Sequence, residues 1–134
     1  MDFTISADLP LPYDDAVART RAGLADAGFG VLTEIDIKAT LKKKLDVDVE
    51  PKIILGACQP RFAHAALQAD PRVAAIMPCN VVVSADGENA SRVEILDPGT
   101  MEQFTGTAAL HTIATDARAQ LSAMLDDLVT KAGA

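Results

Sequence analysis

The sequence predicts an α+β fold, a sheet with helices packed on one face. Three observations carry it. Segments with the two-residue period of strands mix with segments of helical period, in the order β-α-β-(α)-β-α-β-β-α, without strict alternation. Two Val- and Ile-bearing runs are separated only by a loop around Asp86-Gly87, as in a hairpin. A long C-terminal stretch carries one apolar stripe.

Phe3-Thr4-Ile5-Ser6 alternates apolar and polar side chains, and Pro10 and Pro12 end the strand. Tyr13 to Ala27 reads as a helix with Asp14 and Asp15 in its first turn, Val17, Thr20, Leu24 and Ala27 on its inner face, and Gly28 as its stop. Gly30 to Asp36 is a second strand. Strict alternation would put Val31, Thr33 and Ile35 on one face, and Leu32, Glu34 and Asp36 on the other. Asp36 caps a short helix over Ile37 to Leu45.

Lys52 to Cys58 is a third strand with Ile53, Ile54 and Leu55 at its centre. Pro60 opens a helix to about Ala69, Asp70-Pro71 breaks it, and a further helical turn covers Arg72 to Met77. Asn80 to Ser84 and Arg92 to Leu96 are the paired strands. Thr100 to Thr107 reads as irregular. Ala108 to Lys131 is the longest helix, with Leu110, Ile113, Ala117, Leu121, Met124 and Leu128 in its stripe.

Composition bounds the function. The 134 residues read as one domain over 1–134, able to bury a core without cross-links. Its four Phe, one Tyr and no Trp leave that core to aliphatic side chains and supply few stacking surfaces for single-stranded nucleic acid. A net charge of −7 repels phosphate backbones and anionic lipid. No nucleic-acid or membrane partner is therefore expected. No basic and apolar leader pattern opens the sequence, so no signal peptide is expected, and no apolar run approaches the roughly 18 residues of a membrane span. A cytoplasmic location follows as the expectation, with both cysteines as free thiols.

The chain also resembles the domain-of-unknown-function 302 family over nearly its whole length. The carriers are Gly28-Phe29-Gly30-Val31, Thr33-Glu34-Ile35-Asp36, Leu55-Gly56-Ala57-Cys58-Gln59-Pro60, Ala65 with Leu67, Met77-Pro78-Cys79-Asn80-Val81-Val82-Val83 and Asp97-Pro98. The resemblance implies a compact TBP-like fold with an antiparallel sheet backed by helices, and dimers in some members. It implies no mechanism. Gln59 stands where the family often has Asn, the better N-cap, which weakens the case for a fixed polar role of this side chain.

Function is expected around the two strand–turn junctions that hold the cysteines. Cys58 precedes a helix N-terminus, whose unpaired N–H groups and dipole favour a thiolate; as a small buried hydrophobe it would instead be inert. Cys79 follows Pro78, and Asn80 beside it either orients a ligand or satisfies the turn backbone. Glu34 and Asp36 share a strand face, which could serve acid–base work or bind a cation, but solvent exposure with Asp36 as a cap is the favoured reading.

Whether the thiols meet depends on Asp70-Pro71. One straight helix after Cys58 would leave them about 20 Å apart on strand dimensions. Two short segments that double back would return the chain beside Cys58, and the break before Pro favours this outcome. His64 and His111 match no zinc spacing with the cysteines, and no phosphate-binding glycine motif is present. No metal or cofactor is expected.

Two function classes follow. One is a small-molecule binding or interaction module with a pocket lined by Glu34, Cys58, Cys79 and Asn80. A homodimer that covers exposed sheet would accompany it. The other is a thiol-dependent enzyme or redox protein with Cys58 or Cys79 as nucleophile and Glu34 or His64 as base. A scaffold without any pocket is the third outcome. Whether the chain is an enzyme stays open on the residues alone.

Overall fold

A computed structural model describes residues 2–133. Five strands form one antiparallel sheet: β1 (Thr4–Leu9), β2 (Gly30–Asp36), β3 (Lys52–Cys58), β4 (Cys79–Ala85) and β5 (Ser91–Leu96). Their order across the sheet is β1-β5-β4-β3-β2, so the first two strands in sequence become its two edges. The helices are α1 (Tyr13–Asp26), α2 (Ile37–Leu45), α3 (Pro60–Ala69), α4 (Thr100–Thr105) and α5 (His111–Ala132). Short 3-10 segments occupy Pro71–Ile76 and Ala108–Leu110.

The register explains which residues are buried. Ile5, Ile95, Val81, Leu55 and Glu34 stand in one row across the sheet. Side chains directly opposite share a face. Ile53, Leu55, Ala57, Val81, Val83, Val93 and Ile95 point to that face and meet Ala16 and Leu24 of α1 and Leu121, Met124, Leu125 and Leu128 of α5. Of the opposite face, which carries Ser6, Asp8, Arg92, Asn80, Thr33 and Ile35, only Gly56 is buried.

Strict alternation fails in β2. Val31 pairs with Ala57 and Thr33 with Gly56, which leaves Leu32 as an extra residue in a β-bulge. The bulge resets the pleat, so Val31 shares a face with Glu34 and Asp36 rather than with Thr33 and Ile35. Leu32 is left two-thirds exposed.

Thr100 to Thr105, expected to be irregular, is helical. Asp97 organises its start: its Oδ1 accepts the Gly99 N–H at 2.9 Å, and its carbonyl accepts the Thr100 hydroxyl at 2.8 Å. Gly106, at φ 71°, ends the helix in a conformation that favours glycine. The last helix also begins later than its stripe suggests, because Ala108–Leu110 is a separate 3-10 turn.

No helix among the described residues is long and apolar enough to cross a membrane.

Candidate functional site

The chain turns back after α3. Asp70 is the pivot: its carboxylate caps the 3-10 segment through the Arg72 N–H (3.0 Å), receives the Arg72 guanidinium, and accepts the Thr107 hydroxyl at 2.7 Å. These hydrogen bonds, led by that from the Arg72 side chain, hold the Asp70 carboxyl well below the usual carboxylate range. Arg72 also donates to the Thr105 carbonyl at 3.1 Å, so the corner is fastened to the loop after α4.

The doubling back returns β4 beside the end of β3, with Cys79 opposite Ala57. Cys58 is the next residue along. Both cysteines border one cleft at this end of the sheet. Phe62 and Ala63 of α3 form one wall. Met77 and Met101 form another, and Ala117 and Leu121 of α5 close the base. Phe29 packs on Phe62 with ring centroids 6.4 Å apart. The cleft encloses about 60 Å³.

Two of its polar lining side chains are already engaged. Thr100 is bonded to the Asp97 carbonyl. Gln59 Oε1 accepts the Arg61 N–H at 2.7 Å and the Phe62 N–H at 3.4 Å. The longer amide side chain thus does what Asn would do at this cap, a fixed role for which the departure from Asn had weakened the case. It also takes the N–H groups that were expected to stabilise a Cys58 thiolate.

Cys79 is held as a thiol. Its S–H donates to the Leu96 carbonyl at 3.2 Å. Burial, with the nearby Asp97 charge as a lesser cause, pushes its pKa up to about 12. Asp97 itself is paired with Arg118 at 3.0 Å.

Glu34 and Asn80 do not line this cleft. Glu34 is on the helix side of the edge strand, where Arg21 of α1 donates to its carboxylate and lowers its pKa. Asp36, two residues on, accepts the Ala39 N–H at 2.9 Å and caps α2. Asn80 sits opposite Gly56 on the other sheet face and is exposed. Sequence reasoning missed Met77 and Met101. Neither carries a distinguishing signal, because a methionine beside an apolar segment reads equally as core.

A wider depression of about 630 Å³ lies at the other end of the sheet, among Tyr13, Lys38, Glu50 and Glu88. Its rim carries both charges and no cysteine, serine or threonine. Among the described residues, no three His, Cys, Asp or Glu side chains cluster as metal ligands.

The comparisons with known proteins agree on the family. Residues 5–128 match the family model described as domain of unknown function DUF302, and the chain belongs to this family. Its fold is similar to the crystal structure of an uncharacterized conserved DUF302 protein from Bacillus stearothermophilus. The two are 27% identical, with a TM-score of 0.85, over 94% of this chain and 98% of that one. No curated protein matches the chain.

Proposed function

We propose that the chain is a non-enzymatic binding module whose cleft between Cys58 and Cys79 takes a small ligand. The carrying observation is an apolar cleft, open at the end of the sheet, in which the Gln59 carbonyl oxygen and the Thr100 hydroxyl are spent on the protein's own turns. Such a cleft selects by size and softness rather than by hydrogen bonding. Its volume is below the roughly 150 Å³ of an apolar cavity that holds benzene. The thiol-enzyme reading has less support: Cys79 is protonated at neutral pH, and the helix end near Cys58 is capped by Gln59.

Xenon tests the cleft, because it is small, apolar and without hydrogen-bonding capacity. Under xenon pressure, amide shifts should saturate at Cys58, Phe62 and Met101 and stay flat on the open sheet face. Shifts that fail to saturate, or that spread evenly over the sheet, would remove the proposal.

A second copy of the chain is the partner this reading includes. Leu32 and Ile35 on the edge strand are 66% and 46% exposed, which is unfavourable for an isolated edge.

A further inference from the structure

At about 60 Å³ the cleft is too small for a ring-sized molecule unless a wall moves. Its walls are not equally fixed. Ala57 of β3 and Leu121 of α5 belong to the central core, and Phe62 of α3 packs against it. Met77 follows a 3-10 segment whose Val73 is fully buried. Helix α4, which supplies Thr100 and Met101, has six residues and buries only Thr100. Of its two apolar side chains, Met101 packs on the small cluster of Ala66, Val73 and Leu110, and Phe104 is 59% exposed. Polar contacts hold the rest. The Arg72 guanidinium donates to the Thr105 carbonyl at 3.1 Å, and Glu102 pairs with His111 Nδ1 at 2.8 Å. Glycines stand at both ends, Gly99 and Gly106, the second at φ 71°. Elements with few buried apolar contacts and exposed hydrogen bonds are those that open locally, without global unfolding.

We propose that α4 is a lid, and that the cleft takes an apolar, ring-sized molecule only when α4 swings out between its two glycines. The inference rests on the cleft being a binding site, as argued above. Withdrawing Met101 removes one wall, and the space that its side chain filled joins the cleft. Arg72 is the latch, because its Nη2 serves both the Asp70 carboxylate at 2.6 Å and the Thr105 carbonyl. A lysine there can pair with Asp70 but lacks the planar fork that reaches both acceptors. Opening breaks the contacts of Thr105 and Glu102. It leaves the Asp70–Arg72 pair, and with it the corner that returns the chain to β4, in place.

The test joins hydrogen exchange of the full chain in a urea series to a titration with benzene, both read by NMR. The Gln103 N–H, bonded to the Gly99 carbonyl at 3.2 Å, and the Gly106 N–H, bonded to the Glu102 carbonyl at 2.8 Å, report on α4. Both should exchange by a route that urea does not accelerate, while the amides of β4 follow global unfolding. Arg72→Lys should lower the protection of these two amides about tenfold, the loss of one charge-assisted hydrogen bond. Glu102→Ala, which leaves the Asp70 corner intact, should act in the same direction. Benzene affinity, from saturable amide shifts, should rise in each variant by the factor by which protection falls, since only the open state admits it. Bound benzene should in turn speed exchange at Gln103 and Gly106. Exchange of α4 only with global unfolding would overturn the lid, as would a benzene affinity that stays constant while protection falls. Saturable xenon shifts without benzene binding would overturn the lid and leave the binding cleft standing. Loss of both would remove the two readings together.

Discussion

At the scale of single residues, the two cysteines occupy neighbouring positions and have different chemistry. Cys79 is buried, donates to a carbonyl and lies near a carboxylate. With its pKa near 12, only about 10⁻⁴ of it is thiolate at pH 8, against roughly a quarter for a free thiol. Iodoacetamide at that pH should therefore leave Cys79 unmodified in the folded protein and label it rapidly in guanidinium, as read by peptide mass spectrometry. Labelling of folded Cys79 at the rate of a peptide thiol would contradict its assignment as an inert donor. The sequence located this junction correctly, because a Pro-led strand start is a local signal. It could not separate the two thiols, because the burial of Cys79, its Leu96 acceptor and the Asp97 charge are tertiary features supplied by residues distant in the chain.

Among the elements, β3 is fixed most tightly by its glycine. A Cβ on Gly56 would collide with Thr33 Oγ1 and lie 2.8 Å from Pro78 Cγ. The side chains of two neighbouring strand segments thus meet over the one position that has none. Gly56→Ala should destabilise the fold by about 1–3 kcal/mol, the usual cost of overpacking. Urea unfolding measures it, and Thr33→Ala in the same chain should restore part of the loss. An unchanged midpoint would show that the close approach is not needed. Strand periods, Pro and Gly punctuation and the Asp36 cap were legible because each acts over a few residues. The β2 bulge was not, since it depends on which β3 residue sits opposite Leu32. Helix α4 was missed for a related reason: its start is organised by Asp97, three residues upstream, and not by a helix-forming run.

For the whole molecule, one face of the sheet is covered and the two edges differ. Arg92 of β5 binds Asp8 and Ser6 of β1 across the open face at 2.9 Å, which gives that side a charged surface. The β2 edge instead presents Leu32 and Ile35, with the partly buried Ile54 and Val82 beside them. Association through this apolar side should make the sedimentation mass rise with concentration. Ile35→Lys should hold the chain as a monomer with unchanged circular dichroism, because the residue is outside the core. A monomer at every concentration of the unmodified chain would remove the dimer. The α+β class was legible from element order alone. The placement of β1 and β2 at opposite edges was not, since nothing in either strand's pattern names its neighbour.

That placement has a consequence for synthesis. β1 is made first, yet its sole partner in the sheet is β5, where Thr4 meets Leu96 and Leu9 meets Ser91. While the ribosome makes the intervening segments, the N-terminal strand has no neighbour to pair with. The hairpin of β4 and β5 has to emerge before the sheet can accept it, and α5, which packs on β1, comes later still. The sheet is therefore completed by a strand made well before its partner, and its closure waits until β5 has emerged, when the long loop between the two shuts.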